Sequence, residues 1–227
     1  SALAFVPVLR LSEVTPAAEA RPPLGRQVRE ALAAGSRTPA IWLSGGLEAA
    51  VYIATYATKA FLPLYALSLG VSVAGVGLFC SVQEGAALLL KPLGGRVGDR
   101  AGYLAAIAAG MAAVGLPLVV LPSARSAPGL LALSGLMGCG QALVFPSTTA
   151  LISTQIDERH VGAGMGLAGT LENLGKVIGP VLGGLLVAAL DYGPMFRGMG
   201  GLLLAAGLAV WMAGLRSRRR SAATPLG

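Results

Sequence analysis

The chain has 227 residues, 55% of them hydrophobic and only 12% charged, with 33 glycines and a formal net charge of +7. A water-soluble domain carries about twice that charged fraction, so composition excludes an ordinary soluble enzyme and points to a chain embedded in lipid. The apolar runs are too long and continuous for the in–out alternation of a membrane barrel, which leaves spanning helices.

Ser1–Leu9 is apolar and stops at Arg10, like the last turns of a span that ends in the cytoplasm. Residues 10–37 are rich in proline, alanine and charge, with five arginines and three glutamates, and read as a cytoplasmic central loop. The chain starts without methionine and its first apolar run is too short for a signal peptide, so a preceding part of a longer protein is expected. Thr38-Pro39 then resembles an N-cap followed by a first-turn proline.

Six spans are predicted, at about 39–66, 73–92, 104–121, 128–150, 161–190 and 197–215. Residues 216–227 form a basic tail. The seventeen lysines and arginines sort by side. Thirteen lie on one side: five from Arg10 to Arg37, then Lys91, Arg96, Arg100 and Arg159, and four from Arg216 to Arg220. Arg125 and Arg197 lie on the other, and Lys59 and Lys176 fall within spans. That bias puts both ends of the six-span block in the cytoplasm. It also argues against nucleic acid as a partner, because the charge tracks alternate loops.

The spans differ in polarity. The first carries Glu48, Tyr52, Thr55 and Lys59, spaced four, three and four apart and therefore on one helical face. The second carries Glu84 and the fourth Gln141. The fifth carries Glu172, Asn173 and Lys176. An ionised group near the bilayer centre costs on the order of 3 kcal/mol and needs a partner or a water-filled cavity. These nine residues are accordingly the candidate substrate or proton pathway, Glu172 with Lys176 also being a ready i,i+4 ion pair. The third and sixth spans have no ionisable residue inside their apolar stretches and are expected to face lipid or pack outside.

Two glycine-rich segments stand out. Gly175, Gly179 and Gly183 recur every four residues beside Pro180 and Gly184, a stripe that admits close approach of another helix. Glu84 and Pro92 recur as Glu172 and Pro180, both 88 residues on, each followed by a glycine pair. The glutamates sit in the middle span of two three-span groups that cross the membrane in opposite senses. This is an inverted repeat of the kind secondary transporters use. Gly164–Gly169 matches G-x-G-x-x-G but follows no strand, so dinucleotide binding is not expected. Cys80 and Cys139 lie in apolar runs and frame neither a disulfide nor a metal site, and no cofactor is expected.

Gly95-Arg-Val-Gly-Asp-Arg-Ala-Gly102, placed in the loop between the second and third spans, resembles the G-x-x-x-D-R-x-G signature of the major facilitator superfamily. The resemblance implies that Asp99 caps a helix terminus and pairs with arginine across the bundle, with Arg100 beside it, in a latch bounded by Gly95 and Gly102. Tyr103 departs from the family, which has a basic residue there. The 175–184 pattern resembles the family's antiporter-associated glycine–proline motif. Residues 38–215 then resemble the C-terminal six-helix half, with a missing N-terminal half, a small-molecule substrate, protons and the cell-membrane bilayer as partners. What is implied is proton-coupled efflux by alternating access, not an enzyme. Metabolite uptake and a non-transporting membrane scaffold or sensor stay open, and dependence of flux on a pH gradient separates them.

Overall fold

A computed structural model describes residues 39–124, 126–155 and 161–223. The expected preceding span end, the central loop, and the connection at 156–160 lie outside them, as do the last four residues of the tail. The described chain is an all-helical bundle: α1 (Pro39–Ser68), α2 (Val73–Ala101), α3 (Tyr103–Val120), α4 (Ala127–Gln155), α5 (Val161–Leu190) and α6 (Tyr192–Ala223), with a 3-10 turn at Leu121–Ser123. Each of α2 to α6 contains a stretch long and apolar enough to cross a membrane. Helix α1 has 30 residues, which reach about 45 Å, but its polar stripe lowers its hydropathy below theirs.

Caps explain several starts. Ser72 Oγ accepts from Gly75 N at α2 and Ser126 Oγ from Gly129 N at α4. The predicted ends erred where proline or charge was read as a stop. Helix α2 runs through Pro92 to Ala101, because a span tolerates the one missing N–H when neighbouring helices hold it. Helix α6 begins at Tyr192 rather than at 197, since Pro194 lies in the first turn, where its missing N–H costs nothing. It also continues into the basic segment as far as Ala223.

The packing obeys a near-two-fold exchange of α1 with α4, α2 with α5 and α3 with α6. The two most extensive interfaces, α2 on α4 and α5 on α1, map onto one another. Both are glycine crossings. A methyl at Gly94 would overlap the Ala142 carbonyl, and one at Gly175 or Gly179 would lie 2.7 or 2.6 Å from the Ala49 or Ile53 carbonyl oxygen. The joints match as well. A single residue with left-handed φ links α2 to α3 (Gly102, 94°) and α5 to α6 (Asp191, 80°). The exchange fails at α3, which packs broadly on α4 while α6 touches α1 only lightly.

The third span is therefore not peripheral. Ile107, Met111, Val114 and Leu118 are fully buried between α4 and α6. Lack of charge suits a protein core as well as lipid, and the alanines and glycines of α3 let its neighbours close in: Gly110 meets Gly140, and Gly115 meets Gly200. Large apolar side chains instead point outward from α2 (Leu88, Leu89) and α5 (Val177, Val181, Leu185).

Candidate functional site

The polar stripe of α1 is where four helices meet. Glu48 lies about 13 Å along α1, and its side chain is buried at 8% exposure. Its carboxylate accepts from Thr148 Oγ1 of α4 at 3.2 Å, and it forms no ion pair among the described residues. One turn on, the Tyr52 ring stacks flat on Phe145 of α4, centroids 4.7 Å apart and planes 8° apart. Thr55 Oγ1 accepts from Gln141 Nε2 at 3.3 Å.

Two lysines flank this stripe, each held by a carboxylate and each over a tyrosine. Lys59 pairs with Glu84 of α2 at 2.7 Å, and its ammonium lies 4.8 Å from the Tyr56 ring centroid. Lys176 of α5 donates to Glu172 one turn before it and lies 4.7 Å from the Tyr52 ring centroid. The result is a continuous ladder of Glu84, Lys59, Tyr56, Tyr52, Lys176 and Glu172, with cation–π contacts at both lysines. Glu84 remains 56% exposed, so its end of the ladder is open to whatever occupies the adjoining space.

Eight of the nine predicted pathway residues thus converge. Asn173 does not join them: it is exposed on α5 on the same side as Val177. Sequence reasoning passed over Tyr56, Phe145 and Thr148, although the spacing held the signal. Tyr56 is four residues after Tyr52, and Phe145 and Thr148 are four and seven after Gln141. It also passed over Gln83, Ser44 and Ser147, buried polar side chains with atoms that find no partner among the described residues. One turn beyond Lys59 toward the far end of α1 begins a cavity of about 450 Å³. Its lining includes Leu62, Tyr65, Val76, Phe79 and Leu130, with no charged side chain among the described residues.

The predicted latch differs from expectation. Gly95–Gly102 is not a loop: all of it but Gly102 lies in the last turns of α2. Asp99 caps no helix; the residue before α3 is Gly102, which gives no side-chain cap. Asp99 accepts from the Tyr103 hydroxyl at 3.1 Å and forms no ion pair among the described residues, while Arg100 is exposed in the last turn. The tyrosine that departs from the family pattern is thus the group that holds the aspartate. Within the glycine motifs, Gly94, Gly175, Gly179 and Gly183 make the close crossings. Gly95 and Gly184 have room for a methyl, and Pro180 is carried inside α5.

A multi-helix membrane bundle with an inverted internal repeat and an ion-paired polar stripe at mid-depth has the architecture of half a secondary transporter. The model of the Major Facilitator Superfamily matches residues 46–226, and the chain belongs to that family. It is 30% identical over 156 residues to the multidrug resistance protein MdtG of Yersinia enterocolitica, covering 66% of this chain and 37% of that protein. It is 34% identical over 152 residues to a multi-drug resistance efflux pump PmrA homolog of Lactococcus lactis, covering 65% and 37% respectively. MdtG of Escherichia coli K12 is 29% identical over 141 residues, covering 60% and 34%. The chain is a multi-pass membrane protein that aligns with little more than a third of these relatives' length.

Proposed function

We propose that the chain is the C-terminal six-helix half of a proton-coupled transporter in the cytoplasmic membrane, both ends of its block facing the cytoplasm, that exports small amphipathic or cationic molecules by alternating access. The names of the relatives support efflux. The positive-inside bias of thirteen against two supports the orientation. The exposed apolar faces of α2 and α5, on the two middle helices of the repeats, suit docking of an N-terminal half, with substrate held between the halves. The family favours a carrier over an enzyme.

One observation carries the mechanism: of the three mid-membrane carboxylates, Glu84 and Glu172 each hold a lysine, whereas buried Glu48 has only a hydroxyl among the described residues. A carboxylate at depth needs a counter-charge, a proton or water. Glu48 is therefore the group to exchange a proton as the halves rock. Glu84, exposed and paired, is the group to trade Lys59 for a cationic substrate whose apolar body enters the neighbouring cavity. The helix end that holds Asp99, Arg100 and Tyr103 latches one state.

The test uses inverted vesicles containing the full-length protein. Glu48→Gln with Glu84→Gln is expected to abolish substrate-driven proton movement while the protein still inserts. Undiminished coupling in that pair overturns the role. Flux that ignores a pH gradient in the unaltered protein favours uptake by facilitated diffusion instead.

A further inference from the structure

We infer that the cytoplasmic end of α3, α4 and α6 carries a binding site for an anionic phospholipid, separate from the transport pathway. Two features meet there. The first is a groove of about 220 Å³ lined by Tyr103 and Leu104 of α3, Leu151 of α4, and Trp211, Gly214 and Leu215 of α6. It is apolar, and glycine at 214 leaves that part of its wall without a side chain; a methyl there would be in ordinary contact, 3.5 Å, with Leu104 Cβ. The second is a run of positive charge that continues from the groove wall. Helix α6 stays helical through Ala223, so Arg216, Arg218, Arg219 and Arg220 follow the groove residues within two turns. Residues 211, 215 and 219 are spaced four apart, and 218 is four after 214, so positions 218 and 219 share one helical stripe with the wall, while 216 and 220 lie on the other side of the helix.

An apolar slot at membrane depth, continued along the same helical stripe by the arginine positions 218 and 219, matches one chemistry: an acyl chain joined to a phosphate. Trp211, 47% exposed and about 7 Å below Arg216, sits where an indole favours the headgroup boundary. The acidic neighbour, Asp99, is occupied by the Tyr103 hydroxyl. A neutral lipid would fill the slot and leave the arginines unused, and a soluble anion would use the arginines and leave the slot empty. The groove involves α3 and α6, away from the α2 and α5 faces assigned above to the second half, so it remains open to lipid whichever compound is moved.

Full-length protein in phosphatidylcholine vesicles is titrated with brominated phosphatidylglycerol or brominated phosphatidylcholine. Quenching of Trp211 is read as the difference from Trp211→Phe. Half-quenching by the anionic lipid is expected at about tenfold lower mole fraction than by the neutral one. Arg218→Gln with Arg219→Gln should erase most of that preference. Gly214→Leu, which fills the slot and leaves every arginine, should remove quenching by both lipids. Equal midpoints for the two headgroups in the unaltered protein overturn the site. So does an anionic preference that survives Gly214→Leu, because it would report only diffuse attraction to a charged surface. Loss of proton coupling in the glutamate variants leaves these readouts unchanged, so the two readings fail separately.

Discussion

At the scale of single residues, what matters is which charges are already satisfied. Lys59–Glu84 is partly exposed, with side chains 32% and 56% accessible, so screening leaves it worth about 0–1 kcal/mol to stability. A double-mutant cycle with Lys59→Met and Glu84→Gln should therefore show a small coupling in thermal unfolding but a large one in substrate transport. A coupling of several kcal/mol in unfolding would make the pair a structural strut. Thr148 is different. Its hydroxyl lies within reach of both Glu48 and the Val144 and Phe145 carbonyls, and Thr148→Val strips the buried carboxylate of its hydroxyl partner. A loss of about 1 kcal/mol or more is expected in denaturant melts. How far these residues could be read beforehand follows from where their partners lie. Glu172 with Lys176 is visible at i,i+4 because both sit on one helix. Lys59 with Glu84 is not, because 25 residues and a helix reversal separate them and only the bundle brings them together.

At the scale of helices, glycine position decides how closely two backbones approach. Gly94→Ala would push a methyl into the Ala142 carbonyl, and Gly179→Ala would place one 2.6 Å from the Ile53 carbonyl oxygen. Each is expected to cost about 1–3 kcal/mol in detergent-solubilised protein, because backbone rather than a flexible side chain must yield. Gly95→Ala and Gly184→Ala, whose nearest atoms lie at 3.9 and 3.4 Å, should melt within about 0.5 kcal/mol of the unaltered protein. Equal losses at all four would mean that crossing distance is not what these glycines set. The four-residue stripe on α5 was legible from spacing alone. Its counterpart on α2 was legible only in part: the duplication pointed to the Gly94-Gly95 pair, and the structure selects Gly94. Helix ends were misjudged for a related reason. Proline and arginine signal a break in water, but at Pro92 and Arg96 the neighbouring helices keep α2 continuous to Ala101.

At the scale of the molecule, six helices, their order and their opposed halves followed from hydropathy and from glycine and charge placement. The burial of α3 did not, since an uncharged helix gives no sign of whether lipid or protein surrounds it. The open face of the bundle, with Glu84 at one end of its ladder, should be wetted in the assembled transporter. After Cys80 and Cys139 are replaced by serine, cysteine at 84 should react with a membrane-impermeant maleimide from one side and become shielded when substrate is added. Cysteine at 107, wholly enclosed between α4 and α6, should stay unreactive. A sealed position 84 in every condition would remove the aqueous path on which the proposed transport rests.

The two one-residue joints, Gly102 and Asp191, leave no slack between the helices they connect. A displacement of the end of α2 is therefore passed to the start of α3, and one of the end of α5 to the start of α6. Adding one residue at either joint would swing the following helix by about 100° about its axis and turn its packed face toward lipid. Natural length variation in such a bundle should therefore collect at the Leu69–Ser72 turn and avoid positions 102 and 191.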